Sequence, residues 1–536
     1  MKIEDYIIEN ALREKTVNEK KIDKIKRRAA LEYKSKIPQN INLLQAYHKL
    51  IATNKVKKSP ILEQLLKTRK VRTLSGIAAI TVITKPYGCP GKCLYCPTEK
   101  NMPKSYLANE PACMRAVLTK FSPYHQVDAR LKSLKMTGHV TEKIELIVLG
   151  GTWSAYPRIY QNWFIKRCFD ACNGIVSKSL KKAQKRNESA KNRVIGLTLE
   201  TRPDFITLKE IKHMRELGCT RVELGVQSIY NNVLQKNKRG HDIKTVIRAT
   251  KLLKDAGFKI TYHMMPNLLG SNPQKDEKMF EELFSNPNFQ PDQLKIYPCA
   301  VLKTASLYKL WKQGKYKPYT EKQLIDLLVK IKGKIPPYVR IVRMIRDIPK
   351  QSIIAGNKVS NLREVIVREM EKRNKRCRCI RCREVKNQES GIKNQELVRR
   401  DYDASGGKEI FLSFEDTKND KVLAFLRLRL PNSWTLPELK NCAIIRELHT
   451  YGQTLALSQK TKNAQQHKSL GRKLMEEAEK IVKTEIYPVK SPRSGVPQKR
   501  QFNRARKIAV IAGIGVREYY KKLGYKLKGT YMVKGL

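Results

Sequence analysis

The chain has 536 residues, 41% hydrophobic and 29% charged, a length that calls for several domains and a composition that excludes wholesale disorder. Lys and Arg number 109 against 49 Asp and Glu; the net charge of +60 exceeds what solubility needs and predicts a polyanionic partner, nucleic acid before an anionic membrane surface. With no apolar run of about 18 residues and no signal-peptide layout in the opening MKIEDYIIEN, the expectation is a cytoplasmic protein with no membrane partner.

Residues 1–75 read as helical and basic. KKIDKIKRRAALEYKSKI and LLQAYHKLIA set charge beside apolar positions at helical spacing, which suits either a nucleic-acid-binding arm or a solvated cap on the next domain. From residue 76 to 360 short β-branched runs alternate with helical stretches: Ile80–Thr84, Lys143–Leu149, Val194–Leu199, Arg221–Val226, Lys259–Met264 and Gln293–Pro298. Such alternation predicts a parallel sheet, and six units suit a partial (β/α)6 barrel better than a small doubly wound sheet. Polar residues follow the runs: the cysteine loop, Gly150-Gly151-Thr152, Glu200 to Asp204, Gln227-Ser228, His263 and Tyr297. In a barrel those positions form the mouth where active sites sit. Residues 361–395 hold the basic knot EKRNKRCRCIRCRE and a polar connector with KNQE twice, read as a domain boundary. Residues 396–536 turn strand-rich, with a helix from about Gln466 to Val482, a Pro- and Ser-rich basic insertion over Lys483–Lys507, then strand, helix and strand.

Six of the 12 cysteines cluster, as Cys89, Cys93, Cys96 and as Cys377, Cys379, Cys382; the other six are expected to be small buried hydrophobes. Cys89 to Cys96 has the spacing C-x3-C-x2-C. A closed zinc site takes four protein ligands, whereas three cysteines in one tight loop suit a 4Fe–4S cluster with one open iron; zinc and free thiols are the alternatives. The motif resembles that of the radical S-adenosylmethionine superfamily. The resemblance implies reductive cleavage of S-adenosylmethionine inside a partial barrel, with Gly150 and Gly151 as the glycine turn beside the methionine end. It also makes Glu200, Arg202 and Gln227 candidate cofactor or substrate contacts, structural ion pairing being the competing role for Glu200 and Arg202.

Gln466 to Met475 (QHKSLGRKLM) opens a helix, where free N–H groups and the dipole favour a pyrophosphate. It resembles the acyl-CoA loop of GNAT-type acyltransferases, with Ser469 in place of the first glycine. Gly513 to Tyr525 (GIGVREYYKKLGY) fits the later helix of that fold.

Joined in this order, the two halves are similar to the Elongator catalytic subunit family, including its single-subunit archaeal forms. The similarity runs from about Arg72 to the end through NEPACMRA, ELIVLGGTW, TLETRPD, CTRVELGVQS, NKRGH, HMMPNL, LVRRDY, IRELHTYG and YMVKGL. It implies an α/β chain: a basic helical tRNA-binding region over 1–75, a radical domain over 76–360, a zinc-binding linker over 361–395 and a GNAT-type domain over 396–536. It further implies formation of 5-carboxymethyluridine at uridine 34 of tRNA from acetyl-CoA, S-adenosylmethionine and an unidentified electron donor. The partner is then the anticodon stem-loop, with a homodimer compatible. By this resemblance Cys89, Cys93 and Cys96 hold the cluster, and Lys143, Glu447, Leu448, His449, Thr450, Ser469, Leu470, Gly471 and Tyr519 hold acetyl-CoA. Tyr520 assists, and His449 is the candidate base for thioester hydrolysis, with packing in a strand as its competing role. Cys377, Cys379 and Cys382 match a Zn2+ element whose fourth ligand the sequence does not name. The competing functions are a protein-lysine acetyltransferase with a structural iron–sulfur barrel, a tRNA-binding scaffold without chemistry, and a methylthiotransferase.

Overall fold

The computed structural model describes residues 1–14, 16–68, 76–385, 395–451, 469–485 and 506–536. Four helices, Ile3–Arg13, Glu19–Glu32, Asn40–Ala52 and Pro60–Leu66, open the chain. They close on a core of their own that includes Ile7, Ile8, Leu43, Leu44, Tyr47 and Leu62. Asn18 and Ser59 cap two of them by accepting from the Lys21 and Leu62 amides. The Lys and Arg residues lie on the opposite face, so one amphipathic pattern serves both packing and a basic surface.

The first large sheet is built on β1 (Ala78–Ile83), β2 (Lys143–Leu149), β3 (Arg193–Thr201), β4 (Arg221–Gln227), β5 (Lys259–Met264) and β6 (Gln293–Ile296). Past a two-residue strand β7 (Val301–Leu302), which pairs with β9 (Ile353–Ala355), comes β8 (Arg340–Arg343). Strands β1 to β6 and β8 form one parallel sheet in chain order, with helices on its outer face. The expectation of six strands falls one short. The added strand, RIVR, is too short and too charged for its period to show. Alternation governs β2, where Ile144, Leu146 and Val148 are buried under the helices while Lys143, Glu145, Ile147 and Leu149 face the barrel interior half-buried. Glu200 and His263, expected at the mouth, lie within β3 and β5 instead, so their side chains belong to the interior.

The second sheet comprises β10 (Glu396–Ala404), β11 (Gly407–Asp416), β12 (Lys421–Pro431), β13 (Cys442–Thr450), β14 (Lys507–Val510), β15 (Lys526–Lys528) and β16 (Tyr531–Gly535). Its order is β10-β11-β12-β13-β14-β16-β15, antiparallel except between β13 and β14. That parallel pair requires a crossover, supplied by the helix Leu470–Thr484. One face packs on this helix through Leu426, Leu428, Ile445, Leu474 and Met475. The other continues the barrel core through Ile444, Ala509 and Ile511. Gly513 lies so close to the Ile195 carbonyl of β3 that a Cβ there would overlap it, so glycine permits the docking.

Between the sheets lies a dry ionic network. Arg446 Nη2 reaches Asp292 at 2.5 Å and Glu409 at 2.8 Å, Arg429 reaches Asp255 at 2.5 Å, and Arg427 pairs with Glu447 at 2.9 Å. Lys254, 3.6 Å from Asp292, is pulled down to about 8 by burial. The six unclustered cysteines, Cys113, Cys168, Cys172, Cys219, Cys299 and Cys442, are all buried, as expected. No helix among the described residues is long and apolar enough to cross a membrane. The repeated KNQE of the connector falls wholly or partly outside the described residues, as do Gln466 to Lys468 and most of the basic insertion.

Candidate active site

The loop carrying Cys89, Cys93 and Cys96 leaves β1 at the open end of the barrel. Cys89 Sγ lies 3.5 Å from Thr152 Oγ1, which brings the loop against the Gly150–Gly151 turn after β2. Gly150 has φ 141°, and a Cβ there would overlap Thr84, so only glycine fits. Cys93 is buried and accepts from Arg239 Nη1 at 3.4 Å. Burial alone would raise the Cys93 thiol, but the Arg239 guanidinium overrides it and holds the thiol below its ordinary value. Burial and the neighbouring Cys93 push Cys96 up to about 11. Arg239 is held in turn by the Gly225 carbonyl, 3.2 Å from its Nε. Arg202 donates to Asp204 at 3.0 Å and to the Arg239 carbonyl at 2.9 Å; its buried Nη1 faces Gly91 and has no hydrogen-bond partner among the described residues. Buried guanidiniums around thiols suit an anionic thiolate cluster. The three thiols do not converge tightly enough to share one ion. A cubane, which takes each thiolate on a different iron, does not ask them to.

Below the loop the barrel interior opens into a cavity of about 630 Å³. Tyr106 donates to Glu200 at 2.8 Å, Glu200 lies 3.6 Å from His263 Nδ1, and His263 Nε2 is 2.8 Å from Glu223, which also pairs with Lys295. Despite complete burial, the Lys295 charge and the contact with His263 hold Glu223 well below the usual carboxylate range. Gln227 closes β4 in a left-handed conformation, φ 71°, with its Oε1 buried and unpartnered among the described residues. A glutamine in that region is costly and is kept where the surroundings demand it.

A second cavity, about 110 Å³, lies where the second sheet meets the barrel. Glu145, Lys259, Glu447, His449, Gly513 and Tyr520 border it, as does Leu448. Burial opposes ionisation of Glu447, but Lys259 at 3.4 Å and Arg427 lower it to about 2. Burial lowers His449 to about 4; its ring stacks on that of Phe425 at 5.9 Å and lies tilted, 4.4 Å from that of Tyr451. Beside this cavity, Gly471 sits at the start of the helix Leu470–Thr484. The Tyr519 hydroxyl and Thr450 Oγ1 lie 3.4 and 3.6 Å from where its Cβ would be. Ser469 precedes that helix at φ 60° with no side-chain cap, and Leu470 is buried. Glu447 to Thr450, Ser469 to Gly471, Tyr519 and Tyr520 thus come together. Lys143 stands at the lower end of β2, its ammonium lowered by burial, and does not border the cavity.

A third set lies apart. The Sγ atoms of Cys377, Cys379 and Cys382 are all within 4.8 Å of one another, the one such group of metal-ligating side chains among the described residues. The buried Lys332 Nζ lies 3.6 Å from Cys382 Sγ.

Sequence reasoning passed over Arg239, Glu223, Lys295, Glu145 and Arg221. For all but Arg239, which lies outside the strands, the signal was present: KIELIVL, RVELGVQ, KITYHM and QLKIYP place charged or titratable groups among otherwise apolar strand residues. In a closed barrel those positions face inward.

Residues 83–283 match the Radical SAM superfamily, and residues 291–372 match the Radical_SAM C-terminal domain. The chain is 47% identical to the tRNA uridine(34) acetyltransferase of Methanocaldococcus infernus, covering 99% of this chain and 98% of that one. It is 41% identical to Elongator complex protein 3 of Danio rerio, covering 88% and 86%. Among solved structures it is similar to the archaeal Methanocaldococcus infernus Elp3 lacking residues 1–46, with a TM-score of 0.74 and 45% identity over 87% of this chain and all of that one. Near-complete coverage at these identities places the chain in the family of tRNA uridine(34) acetyltransferases and Elongator complex protein 3.

Proposed function

We propose that the chain modifies uridine 34 of tRNA in the cytoplasm, placing a carboxymethyl group on carbon 5 of the base with acetyl-CoA as carbon donor. The observation that carries this reading is two cavities in one barrel: one beneath a three-cysteine loop, the other bordered by acyltransferase residues. Both halves of such a reaction meet only in that arrangement. The names of the relatives support uridine 34 as the target.

Cys89, Cys93 and Cys96 would hold the 4Fe–4S cluster, and Gly150, Gly151, Glu200 and Gln227 would border S-adenosylmethionine. Together the two groups would supply a 5′-deoxyadenosyl radical, given a separate electron donor. Ser469, Leu470 and Gly471 offer helix-start amides to the CoA phosphates. Glu447 to Thr450 and Tyr519 would flank the acyl arm and Tyr520 would close the cavity beside it, while Lys143 lies outside the cavity lining. Burial keeps His449 neutral above about pH 4, and its Nε2 lacks a hydrogen-bond partner among the described residues. The ring is therefore unprotonated throughout the neutral range and would orient the water attacking the thioester by accepting its hydrogen bond, though as a weaker base than an ordinary imidazole. The +60 net charge and the basic helical face of residues 1–67 hold the phosphates, while a single-stranded anticodon loop lets the base swing into the upper cavity.

Anaerobically reconstituted protein given tRNA, S-adenosylmethionine, a reductant and isotopically labelled acetyl-CoA should yield labelled 5-carboxymethyluridine by nucleoside mass spectrometry. Cofactor cleavage without a modified uridine overturns the reading, as does acetylation of a lysine peptide without S-adenosylmethionine.

Cys377, Cys379 and Cys382 are proposed to bind structural zinc, which their mutual proximity suits. Metal analysis of Cys379→Ser should show zinc lost and iron retained. Equal zinc in the parent and variant sinks this assignment.

A further inference from the structure

The two cavities are separated by one polar layer. On the inward face of β2, Glu145 borders the lower cavity and Ile147, two residues on, borders the upper. Arg221 of β4 borders the upper cavity, and its Nη2 lies 2.9 Å from Glu145 Oε1. The same guanidinium donates through Nε to Thr198 Oγ1 at 2.9 Å and through Nη1 to Gln293 Oε1 at 3.3 Å. Gln293 Oε1 also accepts from Thr261 Oγ1 at 3.1 Å. Each strand from β2 to β6 contributes one member, so the layer crosses the barrel.

Barrel interiors are ordinarily filled by branched apolar side chains. Apolar residues of similar volume hold a structure at least as firmly as an ion pair taken out of water. What a polar layer adds is reversibility: it can open by trading its hydrogen bonds for those of a passing carbonyl or water. The Glu145 side chain is 20% exposed and that of Arg221 8%, so the carboxylate is the arm with room to swing. Beside it Gly196 borders the lower cavity without a side chain, its Cβ position 3.9 Å from Glu145 Cγ.

We propose that Glu145 and Arg221 form a selectivity gate, which passes the acetyl end of an acyl-pantetheine arm from the lower cavity to the upper and turns back longer acyl chains. The gate rests on the proposed use of acetyl-CoA. It places Glu145 and Arg221 as positioning residues, with no part in bond making.

The test puts a cysteine in the upper cavity, Ile147→Cys, in the full-length protein and treats it with bromoacetyl-CoA, mapping adducts by peptide mass spectrometry. Compared at saturating bromoacetyl-CoA, adding Glu145→Ala should speed labelling at that position about tenfold, and adding Gly196→Val should slow it by a similar factor. In the product assay Glu145→Ala should shrink the preference for acetyl-CoA over propionyl-CoA about tenfold, the discrimination one methylene commands. Glu145→Gln, which keeps the volume and loses the charge, serves if Glu145→Ala does not fold. Equal labelling rates, labelling that excess CoA does not compete away, or an unchanged acyl preference overturns the gate. Failure of the parent chain to bind CoA instead overturns the functional reading, and the gate with it.

Discussion

Arg239→Met should strip the protein of most of its iron while leaving its fold in place. The guanidinium touches Cys93 Sγ at 3.4 Å and is held on the Gly225 carbonyl, so it is fixed before any cluster arrives. Cluster ligands must be thiolates, and burial works against a Cys93 thiolate; the nearby positive charge reverses that balance. Methionine keeps most of the volume and removes both the charge and the donor. Outer partners of a metal site commonly account for about ten- to a hundredfold in affinity, and the loss should fall in that range. Arg239→Lys, which keeps the charge without the fork, should recover part of it. Iron per chain after anaerobic reconstitution, with circular dichroism to verify folding, decides the matter. Iron equal to the parent's would remove Arg239 from the account.

What was legible depended on whether chemistry or geometry wrote it. The cysteine loop is local, so its spacing announced it, and Gly150 and Gly151 are backbone requirements that no other residue meets. Long strands such as Lys143–Leu149 and Lys259–Met264 carry enough alternation to fix their limits, while the four-residue β8 does not. The buried arginines were the harder case. In KVLAFLRLRL the pattern sets Arg427 and Arg429 opposite an apolar face, and such alternation ordinarily means solvent. Here the second face meets another domain, where Asp255 and Asp292, more than 130 residues upstream, supply the missing charge. No local pattern encodes a partner that distant. The barrel interior escaped for a related reason. Glu223, His263 and Lys295 each look like one polar residue in a strand, and only the pairing of β4, β5 and β6 turns them into a network.

Arg446→Met should destabilise the assembled chain by about 3–5 kcal/mol, since it leaves Asp292 and Glu409 buried without their principal counter-ion. Asp292→Asn in the same chain should restore part of that loss, because a neutral amide no longer demands the missing charge, and the cycle measures the coupling directly. Acid should act through the same groups. Burial pushes the Asp292 and Glu409 carboxyls up, but Arg446 and Lys254 more than compensate, so both lie below their ordinary values; Glu447 is lowered to about 2. A folded-state pKa below the unfolded one contributes stability that is fully present above the unfolded carboxylate value, about pH 4. That contribution disappears as pH falls through the folded-state values. Urea midpoints measured from neutral pH downward should therefore decline below about pH 4 in the parent. In Arg446→Met the decline should be shallower, because its carboxylates have less charge stabilisation left to lose. A loss under about 1 kcal/mol with an unaltered acid slope would mean that the apolar contacts of Ile444, Ala509 and Ile511, rather than the ionic network, fix the two sheets together.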